Sequence, residues 1–76
     1  MKDFLGRPLH CRDWILYSAH AGLSWGRVAL LVHDQVLVSL AKKDGSYIRT
    51  RVRPDRCIGV STETVPAEVR EILKEK

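Results

Sequence analysis

Arg49, Arg51 and Arg53 occupy alternate positions, with Ile48, Thr50 and Val52 among them. In a β-strand successive side chains point to opposite faces. This spacing therefore sends three guanidiniums to one side, about 6.6 Å apart, and the other three residues toward a core. A guanidinium is planar, permanently charged and shaped for paired hydrogen bonds to phosphate or carboxylate. Lys42, Lys43 and Arg56 flank the segment, so that six basic residues stand against two acidic ones, which equals the whole chain's net charge of +4. The first 41 residues sum to +1 and the last 20 to −1. A local excess of this kind marks a contact surface for something anionic. The competing reading is a solvated strand face that discourages edge pairing, neutralised by Glu63, Glu68 or Glu71 of the C-terminal segment. No acidic alternation accompanies the arginines, which favours phosphate contact.

Aromatic side chains add the second kind of chemistry. Trp14, Tyr17, Trp25 and Tyr47 offer stacking surface for a base or a cage for a cation. In a chain of 76 residues two tryptophans are also the largest apolar groups available to a core. Trp14 is assigned to the core and Trp25, beside a loop, to either role. Tyr47 shares parity with the arginines and is expected on their face, in a stacking role with Trp25. His10, His20, His33, Cys11 and Cys57 lack the short spacings of a zinc site. No nucleophile–base signature, glycine-rich phosphate loop or paired carboxylates stand out. Cys11 follows His10 directly, and neighbouring strand residues point apart. The expectation is a protein without catalytic residues, metal or cofactor.

These groups need a frame, and the sequence is punctuated as a set of short strands. Strands are predicted over Asp13–Ser18, Trp25–Val32, Gln35–Ala41, Ser46–Val52 and Cys57–Ser61. Ser18–Ser24 reads as an exposed loop, His33-Asp34 as a tight turn and Lys42-Lys43-Asp44-Gly45 as a hairpin turn, since an Asp-Gly step supplies positive φ. Pro54 stops the fourth strand and suits a helical turn. Beyond Thr64, Val65, Val69, Ile72 and Leu73 recur at helical spacing, and Pro66 stands near the first helical position. Residues 1–11 read as an irregular lead-in from which Phe4, Leu5 and Leu9 tuck against the strands.

One core suffices for this length. The longest purely apolar stretch, Val28–Val32, is far short of the about 20 residues of a spanning helix. The first residues show no hydrophobic run with a small-residue cleavage site, which predicts a cytoplasmic protein that does not enter membranes. Two cysteines are too few for a disulfide framework and are expected as free, largely buried thiols. They would pair only with Cα atoms within about 7 Å.

Asp13-Trp14-Ile15-Leu16-Tyr17 followed by Trp25-Gly26-Arg27-Val28 resembles the opening of Src-homology-3-like barrels of the KOW and Tudor type. Val52-Arg53-Pro54-Asp55-Arg56-Cys57-Ile58 resembles the short helical turn before their last strand. Arg12 stands where the KOW pattern has glycine. The resemblance covers roughly residues 12–61, and similar small domains occur in bacterial and phage proteins. Five short strands at hairpin spacing predict a mainly β fold, a five-stranded small, partly open barrel over 12–61 with a short C-terminal α-helix in 62–76 packed on it, the alternative being an antiparallel sheet packed on the helix. The resemblance supports the barrel. It implies binding of RNA, DNA, peptides or protein surfaces and no chemistry. The combined expectation is a nucleic-acid-binding module, with Lys42, Lys43, Arg49, Arg51, Arg53 and Arg56 on phosphates and Tyr47 and Trp25 stacking. The runner-up is a protein-interaction adaptor docking on an acidic surface. Either would be a monomer or a weak homo-oligomer.

Overall fold

Strands form where branched and aromatic residues alternate between turn signals. In a computed structural model that describes residues 1–19 and 22–74, they are β1 (Trp14–Ala19), β2 (Gly22–Val32), β3 (Gln35–Ala41), β4 (Tyr47–Val52) and β5 (Cys57–Val60). Turns of 3₁₀ helix occupy Pro54–Arg56 and Thr62–Thr64, and one helix, α1, spans Ala67–Ile72. His33 and Gly45 take positive φ (53° and 89°) in the β2–β3 and β3–β4 turns, as tight hairpins demand. Among the described residues no helix is long and apolar enough to cross a membrane.

All neighbouring strands pair antiparallel, in the order β4-β3-β2-β1-β5. The edges are β4 and β5, and no ladder joins them among the described residues. Yet the sequence passes directly from one edge to the other. Four strand spacings would separate the edges of a flat sheet by about 19 Å. Between Val52 and Cys57 lie four residues, three of them in a 3₁₀ turn that rises only about 2 Å per residue. The sheet must therefore curl, and Val52 and Cys57 share one apolar cluster with Leu9, Ile15, Val28, Val36, Val38 and Leu40. Gly26 permits tight packing on this side, because a Cβ there would meet Leu40 Cδ2 at 2.7 Å and the Ser39 carbonyl at 3.0 Å.

The opposite face carries a second cluster. Trp14 from β1 is buried with Val65 and Leu73, and Trp25, Ala41, Val60, Val69 and Ile72 pack against them. Six residues of α1 cannot hold a helix in water unaided. Burial of Val65 and Leu73, each worth about 1.5–3 kcal/mol, keeps it in place. Arg27 ties the assembly together. Its guanidinium lies 4.6 Å from the Trp14 ring centre. It donates to the carbonyls of Lys74 (2.6 Å), Leu73 (3.2 Å) and Arg12 (3.1 Å). The carbonyls that α1 cannot satisfy at its own C-terminus are thus met by a charged donor from the sheet.

Several sequence expectations change. The Ser18–Ser24 loop is mostly strand, because Tyr17 pairs with Ser24, Ser18 with Leu23 and Ala19 with Gly22. The second strand accordingly begins at Gly22; residues 20 and 21, part of the expected loop, lie outside the described ones. The helix is shorter than 62–76 allows. Pro66 has no N–H to give and stands just before α1 as its N-cap, with a separate 3₁₀ turn upstream; residues 75 and 76 lie outside the described chain. A bulge explains the unbroken apolar run in β2. The register shifts between Val28 and Leu30, so Val28 and Leu31 face the first cluster while Leu30 emerges 49% exposed opposite Leu37.

The lead-in is ordered and closes one edge. Leu9 is buried, but Phe4 and Leu5 point outward, against expectation. The reason is Asp3, which takes the buried place instead. Its carboxylate accepts from the N–H groups of Leu5, Arg7 and Gly59 and from the Arg7 guanidinium. Arg7 also donates to the Gly59 carbonyl at 2.6 Å, and Phe4 N–H to that of Cys57 at 2.8 Å. The outer edge of β5 is thereby occupied, and β4 is left as the uncovered edge.

Burial alone would push the Asp3 carboxyl up. The N–H donors of Gly59 and Arg7, the Arg7 charge and the Leu5 N–H outweigh it and hold the group below its ordinary value of 3.8. A carboxyl with a depressed folded pKa stabilises the fold above its unfolded pKa and loses that contribution as pH falls through the folded value. Asp3→Asn is expected to lower the urea midpoint at neutral pH and to narrow the gap from wild type below pH 3.8. A stability difference independent of pH would show that the charge of Asp3 is not what holds the lead-in.

Candidate functional site

The basic residues are positioned by β4 and the turns at its two ends. Arg49 pairs with Ser39, Arg51 with Leu37 and Tyr47 with Ala41, so all three lie on the sheet face that carries Trp14, Trp25 and α1. The arginines therefore do not face away from all apolar structure. They occupy the strip of that face beyond α1, on the uncovered edge. Arg49, Arg51 and Arg53 are exposed, as are Lys42, Lys43 and Arg56.

The expected inward partners behave unequally. Val52 is buried and Thr50 half-buried, but Ile48 is 43% exposed. Ile48 has the core parity and pairs with Leu40. It lies near the start of the edge strand, beside the β3–β4 turn, and lines a depression there with Leu40, Ala41 and Lys42. Parity selects a face, and depth along the strand decides burial.

Few acids oppose the strip. Arg53 pairs with Asp55 at 3.1 Å, both side chains exposed, an interaction worth about 0.2–1 kcal/mol at most. Among the described residues Glu63, Glu68 and Glu71 make no ion pair with it. Asp44 is held within its own turn. The Ser46 hydroxyl and N–H donate to Oδ1 at 2.6 and 3.0 Å and keep its carboxyl below the usual value, with Lys42 contributing.

The six basic residues form two groups joined by Arg49. At one end of β4, Lys42 and Lys43 stand with Trp25, Glu68, Val69 and Ile72 around a cavity of about 480 Å³ between α1 and the β3–β4 turn. At the other, Arg51, Arg53 and Arg56 stand with Tyr17, Ala19 and Val52 around a smaller one of about 320 Å³. Trp25 is half-buried against the α1 cluster, and Tyr47 is 37% exposed opposite Ala41, which packs against the same cluster. Sequence reasoning counted Tyr17 among four aromatics able to stack but did not place it beside the arginines. Its parity with Ile15 points inward, and only the curl of the sheet brings it to the arginine end.

The remaining candidates separate. Trp14 is buried, as its apolar area requires. Among the described residues no three His, Cys, Asp or Glu side chains cluster as metal ligands would. Cys57 is buried and Cys11 exposed, and both are free thiols, so the expectation of two buried cysteines holds for one. Burial pushes the Cys57 thiol up to about 11, helped by the Asp3 and Asp55 charges.

No family model matches the chain, and no curated protein or solved structure gives a significant match. The site is therefore argued from its own geometry.

The two thiols are expected to react unequally. Since the thiolate is the nucleophile, iodoacetamide at pH 8 should add one adduct, on Cys11, to the folded protein and a second only after denaturation. Two adducts on the native protein would show that Cys57 is not shielded.

Proposed function

We propose that this chain is a non-catalytic binding module whose β4 edge contacts nucleic-acid phosphates. The observation that carries the reading is the strip itself. Six cations line the uncovered edge of the sheet and its flanking turns, while among the described residues one exposed aspartate pairs with one of them. Lys42, Lys43, Arg49, Arg51, Arg53 and Arg56 would make the phosphate contacts, and Tyr47 and Trp25 would stack on bases at the α1 end. Contacts of this kind position a strand and carry little sequence information. In the same reading the curled sheet is a partly open Src-homology-3-like barrel of the KOW and Tudor type. Its strand order, with β1 between β2 and β5, and its 3₁₀ turn before the last strand support that assignment. The protein would work in the cytoplasm as a monomer or weak homo-oligomer.

Counterion release makes the test quantitative. Six phosphate contacts to a single strand give a slope of log K against log salt of about −4, and removing three raises it by about 2. A labelled oligonucleotide titrated at rising salt should show that slope with wild type. With Arg49→Ala, Arg51→Ala and Arg53→Ala combined it should show the shallower one. Absence of binding at about 50 mM salt, where phosphate contacts are strongest, would sink the reading.

A protein partner is the second reading, and a different surface favours it. Phe4 and Leu23 are 66% and 65% exposed and line a cavity of about 410 Å³ with Ile58, Ser18, Asp55 and Arg56. Exposed apolar groups gathered at one depression are where protein contacts form. A complex made there should survive nuclease, be lost with Leu23→Asp and be retained with Arg49→Ala. Release by nuclease rejects it.

A further inference from the structure

The arginine strip does not fade out at the end of β4. It runs into the 320 Å³ depression where Arg51 and Arg53 from the strand end meet Arg56 from the 3₁₀ turn, with Tyr17 of β1 alongside. Three arginines lining one small concavity differ from three along an open face. Like charges gathered at one depression repel. Arg51 and Arg56 make no ion pair among the described residues. Asp55 holds Arg53 at 3.1 Å and, with Arg56, lines the neighbouring depression, but it does not line this one. The concavity thus concentrates positive charge beyond what one phosphodiester, with a single negative charge, would neutralise.

We propose that this depression is a binding site for a terminal phosphomonoester, the phosphorylated end of a nucleic-acid strand whose following phosphates run back along Arg49 toward Lys42 and Lys43. The inference rests on the nucleic-acid reading and adds a polarity to it. A phosphomonoester carries about −1.5 to −2 charges and three acceptor oxygens, and guanidiniums donate to such oxygens in pairs. Val52 ends the strand here and the chain turns toward the opposite edge, so the basic track has a terminus as a strand end does. Tyr17 supplies a ring beside the phosphate, against which a terminal base can stack. A phosphorylated peptide would offer the same group. The nucleic acid is favoured because the track continues past the depression along the length of β4 and ends beside Trp25 and Tyr47.

The test compares short single-stranded oligonucleotides of one sequence bearing a 5′-phosphate, a 3′-phosphate or hydroxyls at both ends, by fluorescence anisotropy at fixed salt. A hydroxyl-ended oligonucleotide lengthened to equal total charge removes the trivial effect of added charge. One of the phosphorylated ends is expected to bind about tenfold more tightly than the charge-matched control, equivalent to about 1.4 kcal/mol. Arg51→Ala with Arg56→Ala should abolish that preference, whereas Arg49→Ala should weaken all four ligands alike. Tyr17 ring resonances should shift with the preferred end and not with the control. Equal binding of all charge-matched ligands overturns the terminal site while leaving the nucleic-acid reading standing. Failure of every oligonucleotide to bind overturns both. A phosphoserine peptide that binds more tightly than the phosphorylated oligonucleotide overturns the assignment to nucleic acid.

Discussion

A five-stranded sheet has two faces and two edges, and 76 residues must cover all but one of them. This requirement organises the molecule. One face is closed by the sheet's own curl, which the short passage from Val52 to Cys57 imposes. The other is closed by α1, which is too short to stand alone and depends on Val65, Leu73 and the Arg27 bridge over Trp14. One edge is taken by the lead-in through Asp3 and Arg7. The remaining edge, β4, is the one with arginines. A bare apolar edge invites aggregation, so the charges there serve the fold whatever else they bind.

Arg27 and Asp3 show how charge is used inside the structure. Each is a single ionised side chain that meets several backbone groups left over by neighbouring elements. Arg27 satisfies carbonyls at the end of α1 and at Arg12, and Asp3 satisfies N–H groups at Leu5, Arg7 and Gly59. Both join segments distant in sequence. Arg49 and Arg51 of β4 are different, since among the described residues they meet no such group, and both are exposed. That contrast, between charges consumed by the fold and charges left over, is the physical basis for proposing β4 as a binding surface.

Much of the architecture was legible beforehand. The bounds of β3 and the turns at His33 and Gly45 follow from local propensity and turn chemistry, which act over a few residues. The β4 parity was legible for the same reason. The β1–β2 hairpin was misjudged because Gly22 and small polar residues resemble a loop, yet cross-strand pairing of Ser18 with Leu23 carries the ladder through them. The exposure of Phe4 and Leu5 was hidden because hydrophobicity suggests burial, while Asp3 had the better claim through its hydrogen bonds.

The sequence by itself determined which residues share a face of each strand, where the hairpins turn and where positive charge collects, since these depend on spacing and neighbouring residue type. Only the tertiary structure decided what those faces meet. It placed the β4 arginines on the sheet face that carries α1, buried Val52 while leaving Ile48 exposed, and divided six basic residues into groups at the two ends of a strand. Above all it brought Tyr17 to Arg51, Arg53 and Arg56. That meeting depends on how far a sheet curls when its edges are joined by a short turn, a long-range constraint that no local pattern records.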